Sequence, residues 1–265
     1  MSVLRFNTYG TWKEIGSPYI PQPPASVTSL ANLFRYIPWI TEDSIRGIGG
    51  WDMSSVRNMS NMFTGVSALT TITLLDTPSV TNMANMFDGA SSLTEVTLLD
   101  TSSVTTMAFM FRNATSLASI EIGDTSSVTN MSYMFNGASA LSTVTLPNTS
   151  SVTNMSFMFR LATSLTSIEI GDASKVTSIS NAFDGVPNLE RLILNGLKIG
   201  GFTVALHNMT LANILEFIDH LGTASGTTAQ TTLTLSVPSD KQADVTSSAE
   251  YIAAENRGWT FVITT

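Results

Sequence analysis

Three sets of residues in this sequence have types and spacing that could do chemistry: a column of methionines, a column of acidic residues and two histidines. Methionine thioethers can ligate soft metals or haem iron. Ten of the thirteen Met residues recur at fixed positions, as Met59/Met62, Met83/Met86, Met107/Met110, Met131/Met134 and Met155/Met158. Each pair runs directly into a phenylalanine, from Met62–Phe63 to Met158–Phe159. That is core spacing, and Met is a flexible core filler, so the column reads as core. The acidic column is Asp52, Asp76, Asp100, Asp124, Asn148 and Asp172. Stacked carboxylates can hold calcium, but an Asx-type turn uses the same oxygen to accept from the backbone N–H two residues on. Asn148 keeps the acceptor and drops the charge, which favours the turn. His207 and His220 both lie near one helical segment, where His220 can satisfy free carbonyls at the helix end. There is no cysteine, which excludes disulfides and thiolate metal sites. No G-x-G-x-x-G, P-loop, G-x-S-x-G or H-E-x-x-H phrase occurs. The sequence therefore points to no catalytic residues, no cofactor and no metal.

The bulk composition narrows the partners. Charged residues make up 12% of the 265-residue chain, and the net charge is −8. Ser, Thr and Asn replace the missing charge, giving a neutral, hydroxyl-rich surface. The acidic balance argues against nucleic acid and against anionic membrane as partners. No long apolar run predicts a membrane-spanning helix. The first twenty residues lack the basic start and apolar stretch of a secretory signal, so the expectation is a protein made in a cytoplasm.

The elements that must position these columns are repeats. A unit V-x-x-M-x-x-M-F, a small-residue turn, then S-x-L-x-x-I-x-L begins at Val56, Val80, Val104, Val128, Val152 and Val176, a constant spacing of 24. Such a period predicts stacked coils that share one core. The spacing of Met59, Met62 and Phe63 at i, i+3 and i+4 predicts one face of a short helix. Asn58, Asn82, Thr106, Asn130, Asn154 and Ser178 precede it as N-cap types. Gly65, Gly89, Asn113, Gly137, Leu161 and Gly185 follow it, where a left-handed residue ends a helix; Leu161 is the exception. Strands are expected near 70–74, 94–98, 118–122, 142–146, 166–170 and 190–194.

The units resemble the BspA-like leucine-rich repeats, which carry phrases like D-T-S-S-V-T-N-M-S-x-M-F. Here that phrase stands as Asp124 to Phe135. The resemblance covers about residues 50–198. It implies an α/β repeat: a right-handed leucine-rich-repeat-type solenoid with a single parallel β-sheet of short strands and short helices opposite. Such repeats occur in bacterial surface adhesins and in bacteriophage structural proteins.

Four segments follow. Residues 1–25 hold Pro18, Pro21, Pro23 and Pro24 and are expected to form an extended N-terminal arm. Residues 26–55 form a degenerate capping repeat, in which Val27, Leu30, Leu33 and Phe34 keep the grammar and about five extra residues fall around 38–50. Residues 56–199 carry the six regular repeats. Residues 200–265 read as a helix–strand–helix–strand cap, with helices over 210–221 and about 240–256. The segment Ala253 to Ile263 resembles the A-x-x-K-G-W-T-V-x stretch of phage proteins with these repeats, with Arg257 in place of Lys. Gly10 to Ile15 is similar to G-x-W-K-x-[IV] segments of phage tail proteins.

Two surfaces are candidates for contact. The arm concentrates Phe6, Tyr9, Trp12 and Tyr19, and aromatic residues dominate interface hot spots. On the sheet, the outward columns are Thr71, Glu95, Ser119, Thr143, Ser167, Arg191 and Thr73, Thr97, Glu121, Thr145, Glu169, Ile193. Thr-x-Thr on a flat sheet is similar to ice-binding solenoids, but Glu95, Glu121, Glu169 and Arg191 break the array. Coils three and five share F-R-x-A-T-S-L and S-I-E-I-G-D at an offset of 48, the mark of a duplicated two-coil block. Arg112 with Arg160, and Glu121 with Glu169, then recur every other rung. Thr97, Glu121, Thr145 and Glu169 form a strip suited to sugar or to a basic protein patch, or else merely a solubilising face. The resemblance and the missing signal imply a non-enzymatic virion protein, a tail or baseplate appendage or a head decoration. Its partners would be other virion proteins through the arm, and host-surface glycan or protein. It would form a homo-oligomer or symmetric array. The alternative is a bacterial cell-surface adhesin.

Overall fold

Every 24 residues the chain lays down one short strand, and each strand pairs in parallel and in register with its counterpart one repeat on. The computed structural model describes residues 3–6, 12–15, 22–45, 47–74, 76–227 and 231–265. Strands β3 (Thr71–Leu74), β4 (Glu95–Leu98), β5 (Ser119–Ile122), β6 (Thr143–Leu146), β7 (Ser167–Ile170) and β8 (Arg191–Leu194) lie inside the expected windows. The repeat columns all point inward. The Val and the Phe of each unit are buried, with both Met of the first five units and Ile179 and Ala182 of the sixth, as are Leu69, Leu93, Leu117, Leu141, Leu165 and Leu189. The phenylalanines form a continuous ladder from Phe34 to Phe202, with ring centroids 5.2–5.9 Å apart. The methionine column lies in this core, with Met62, Met86, Met110, Met134 and Met158 fully buried.

The segments opposite the sheet are not helices. The N–H groups of Met59, Asn61, Phe63 and Gly65 donate to the carbonyls of Asn82, Ala84, Met86 and Asp88 in the next coil. Between them, Met62, Thr64 and Val66 donate three residues back. An α-helix would use its own carbonyls for all of these; here half the donors serve the neighbouring coil. The chain keeps the inward i, i+3, i+4 spacing by stepping through left-handed residues, at Asn61 (φ 58°) and Gly65 (φ 69°), instead of winding. The Asn58 column caps this turn. Its side-chain oxygens accept from the N–H two residues on, at 2.9–3.0 Å for Asn58, Asn82, Asn130 and Asn154.

The expected single sheet is also divided. The ladder runs β3-β4-β5, then β6-β7-β8, and a third parallel sheet of three strands follows within residues 203–264. The first break falls at Pro147. At this column Leu99, Gly123, Gly171 and Asn195 donate to the preceding coil's Leu74, Leu98, Leu146 and Ile170 carbonyls. Proline has no N–H to give to Ile122, and its ring occupies the donor's place. The strands part there, and Ile120 and Ile122 are only half-buried. The coils remain joined on the turn side, where Phe111 N–H donates to Met134 O at 2.9 Å.

Each end of the stack is closed differently. At the N-terminal end Ile40, Ile45 and Ile48 cover the core. Glu42 takes the place of the missing coil's carbonyl. Elsewhere Thr94 N–H donates to Thr70 O and Ala118 N–H to Thr94 O; here Thr70 and Thr71 N–H donate to Glu42 Oε1, Thr71 at 2.8 Å. A carboxylate thus blocks the edge of β3 against further strand pairing. Burial raises the Glu42 pKa, but hydrogen bonds from Thr70 and Thr71 outweigh it and hold the carboxyl below its ordinary value. A carboxylate lowered on folding contributes stability that is present above its unfolded pKa and is lost as pH falls through the folded one. Acidification below about pH 4 should therefore increase exchange at the Thr70 and Thr71 amides before the central coils respond. Glu42→Gln should remove that pH dependence.

At the other end, β9 (Thr203–Ala205), α1 (Leu211–Asp219), β10 (Thr232–Ser236), α2 (Gln242–Thr246), α3 (Ala249–Asn256) and β11 (Thr260–Thr264) make two coils with true helices. Thr210 caps α1, accepting from Asn213 N–H at 3.2 Å. The expected second helix is split at Ser248, which caps α3 by accepting from Tyr251 N–H. The first residues form an antiparallel pair, β1 (Val3–Phe6) with β2 (Trp12–Ile15), so the arm doubles back on itself instead of running extended throughout.

Candidate functional site

The strip predicted on the sheet is not continuous. Thr97 faces Glu121 as its register partner, and Thr145 faces Glu169, but Glu121 and Thr145 stand on opposite sides of the break between β5 and β6. Glu169 is occupied: Arg191 Nη1 reaches it at 2.8 Å, and Nη2 of the same guanidinium reaches Glu216 of α1 at 3.0 Å. These hydrogen bonds, to Glu216 first and to Glu169 second, push the Arg191 pKa further up. Ile193, expected outward, is buried, because α1 packs over β8. Half of the strip is therefore the junction with the C-terminal cap. In the arm, Phe6 and Trp12 are register partners in the β1–β2 pair; Tyr9 and Tyr19 lie outside the described residues.

The acidic column forms turns. Ser54, Ser126 and Ser174 N–H donate to Asp52, Asp124 and Asp172 Oδ1 at 2.9–3.0 Å. Hydrogen bonds from the side chain and then the backbone of Ser54 hold the Asp52 pKa below its ordinary value, and Ser174 does the same for Asp172. Asn148 takes its rung by donating Nδ2–H to Asp124 Oδ1 at 2.9 Å. Behind this column is a line of buried threonines that the sequence reading missed. Thr77, Thr101, Thr125 and Thr149 hydroxyls donate to the carbonyls of Asp100, Asp124, Asn148 and Asp172 in the next coil. His220 Nδ1 lies 2.6 Å from Glu216 O at the end of α1, the carbonyl-satisfying position. Among the described residues no group of three or more His, Asp or Glu is placed to hold a metal, and no helix is long and apolar enough to cross a membrane.

The unusual chemistry lies on the turn face. Each of the seven coils before the C-terminal cap has a left-handed residue between its two inward columns: Asn32, Asn61, Asn85, Phe109, Tyr133, Phe157 and Asn181, all with φ between 55° and 62°. Asn tolerates this conformation, while a bulky side chain there is an outlier. Coils three to five nonetheless carry aromatics. Their rings stack along the solenoid, Phe109 on Tyr133 at 4.6 Å and Tyr133 on Phe157 at 4.5 Å, and all three are part-exposed. Leu161, the exception in the second left-handed column, has φ 61° and is 45% exposed beside Phe157.

Beside the rings runs the column Asp88, Arg112, Asn136, Arg160, Asp184, stacked in register through Gly89 N–H to Arg112 O and Gly137 N–H to Arg160 O. Arg112 reaches back one coil to grip Asp88 with both Nε and Nη2, the former at 2.9 Å, and its guanidinium lies 5.0 Å over the Phe109 ring. The signal was present in the sequence, as the residue before the Met–Phe pair changing from Asn to aromatic in three successive units. It was hidden because the position was assigned to a helix, where no conformational penalty attaches to an aromatic.

The family whose pattern matches the chain is described as Mycoplasma protein of unknown function, DUF285. It matches residues 28–144 and again 94–195, together more than half of the 265 residues. No curated protein matches the chain.

Proposed function

The chain belongs to the DUF285 repeat family, and we propose that it works without catalysis, by presenting the turn face of coils three to five to another molecule. One observation carries this reading: three consecutive aromatic residues occupy left-handed positions that four other coils give to Asn. A bulky residue held there costs about 1–3 kcal/mol, while a stacked aromatic pair returns about 0.5–1.5 kcal/mol. Strain kept at a part-exposed surface fits a contact better than it fits stability. The neighbouring Arg112 and Arg160 add the aromatic–guanidinium chemistry enriched at interface hot spots.

For its setting we propose a virion, as a tail or baseplate appendage or a head decoration. The arm, with Phe6 and Trp12 in its hairpin, would dock on other virion proteins, and copies would form a symmetric array. The stretch Gly258-Trp259-Thr260 supports this through its resemblance to phage proteins with these repeats; the Asp124–Phe135 phrase resembles repeats that phage structural proteins share with bacterial surface adhesins. The second setting is a bacterial cell surface; the family's description names a mycoplasma, a bacterium, and no location. Mass spectrometry of purified particles and of surface-digested cells separates the two. The binding reading itself is tested with fluorescently labelled protein on host cells. Wild type should bind saturably, and Phe109→Asn/Tyr133→Asn/Phe157→Asn should not; equal binding by both would refute the turn face as the contact.

A further inference from the structure

The two ends of the stack treat their strand edges differently. β11 pairs with β10, and among the described residues no strand lies on its other side. In a parallel ladder the N–H and C=O of one residue point to the same side, and the side alternates along the strand. Val237 N–H of the β10 side donates to Thr264 O, so Thr260, Val262 and Thr264 turn their backbone groups to β10. The N–H and C=O of Phe261 and Ile263 therefore face outward. The core is open at the same place: Leu233 and Leu235 of β10 are fully buried, whereas Phe261 and Ile263, their register partners, are half-buried. Exposed edges are commonly protected by charge, proline or a bulge. The stretch Thr260-Phe261-Val262-Ile263-Thr264 has neither charge nor proline. At the N-terminal end, by contrast, Glu42 already takes the Thr70 and Thr71 N–H groups of β3.

We propose that the outer edge of β11 is a dimer interface, occupied by β11 of a second copy running antiparallel about a two-fold axis at Val262. The strand is its own complement under that operation. Phe261 N–H donates to Ile263 O of the second copy, whose Ile263 N–H returns a bond to Phe261 O, and symmetry repeats the pair. These are the outward-facing backbone groups, so no bond to β10 is given up. Thr260 comes opposite Thr264, Phe261 opposite Ile263, and Val262, 43% exposed, opposite itself. No like charges meet, and an aromatic residue faces a β-branched one, a favourable cross-strand pair. The axis stands perpendicular to the sheet, so the inner face of one copy continues into that of the other and covers the half-buried Phe261 and Ile263. Head-to-tail addition would need a free edge at β3, which Glu42 blocks, so the contact closes at two copies instead of growing into a filament. It does not rest on the turn-face reading, and the aromatic triple variant should dimerise like wild type.

Light scattering of the full chain at tens of micromolar should give twice the 28.4 kDa of one chain. Ile263→Pro removes an outward donor and no bond to β10; it should leave the circular dichroism unchanged and weaken the dimer at least tenfold. Val262→Lys, at a side chain already exposed, sets two ammonium groups opposite each other and should weaken it as much. The register is read by crosslinking, since the chain has no cysteine of its own. Residues opposite each other in a non-hydrogen-bonded antiparallel pair have Cα atoms about 4.5 Å apart, within disulfide reach. Val262→Cys should therefore oxidise to a covalent dimer, and Thr260→Cys, which lies opposite Thr264, should not. A monomeric or filamentous wild type overturns the proposal. So does a dimer that survives both Ile263→Pro and Val262→Lys, or Thr260→Cys crosslinking as readily as Val262→Cys.

Discussion

Phe135→Ala should lower the unfolding free energy by about 3–5 kcal/mol, the usual cost of emptying a large buried aromatic site. Phe135 is fully buried at the middle of the ladder, 5.6 Å from Phe111 and 5.9 Å from Phe159. Its removal takes away two stacked pairs and leaves a ring-sized void. The void cannot collapse easily, because the coils are held at fixed spacing by bonds such as Phe135 N–H to Met158 O at 2.8 Å. A solenoid's stability is a sum of coil terms and nearest-neighbour interfaces, and a central rung belongs to two interfaces. Phe34→Ala, at the end of the ladder, removes only one ring contact, the tilted one with Phe63, and should cost less. Denaturant titration of both variants reads the difference, and a loss below about 1.5 kcal/mol at Phe135 would mean that the ladder relaxes around the hole.

The second large effect is expected from a single methyl group. A Cβ on Gly171 would stand 1.9 Å from the carbonyl oxygen of Pro147 and 2.5 Å from its carbonyl carbon. Both atoms are backbone, so no side chain can swing away. Gly171 does not have positive φ; close approach of the coils, not backbone freedom, is what demands glycine here. Gly171→Ala should cost about 1–3 kcal/mol or more and loosen the bond from Gly171 N–H to Leu146 O, now 2.9 Å. Loss of amide protection confined to β6 and β7, with the turn side unchanged, is the expected exchange pattern. Wild-type stability would show that the coils can slide apart without penalty.

Much of this architecture is legible in the sequence because each column has one physical demand. The inward Val, Met, Phe and Leu positions, the strand windows and the Asx turns follow from period and residue type alone. The turn segments do not, because i, i+3, i+4 spacing is common to a helix and to a chain that alternates left-handed steps. What decides between them is where the N–H groups of residues such as Met59 and Phe63 find acceptors, and those acceptors lie 23 residues away in another coil. The division of the sheet was written in Pro147, a residue without a donor in a column that elsewhere gives one. The interruption of the strip between Glu121 and Thr145 was hidden for the same reason, and the partner of Glu169 was hidden because Arg191 and α1 reach it from the end of the regular repeats. The aromatic patch needed the backbone: only positive φ at Phe109, Tyr133 and Phe157 makes their residue type costly.

That cost is also the most direct route to the central claim, that the aromatic stack is kept for contact and not for stability. The measurement is the unfolding free energy of Phe109→Asn/Tyr133→Asn/Phe157→Asn, which gives coils three to five the residue used by their neighbours. Relief of strain at about 1–3 kcal/mol per position should offset the lost stacking and partial burial. The account predicts a triple variant within about 2 kcal/mol of wild type, folded and more tolerant than Phe135→Ala. A triple variant that loses more stability than Phe135→Ala would contradict it and make the surface stack a second structural ladder.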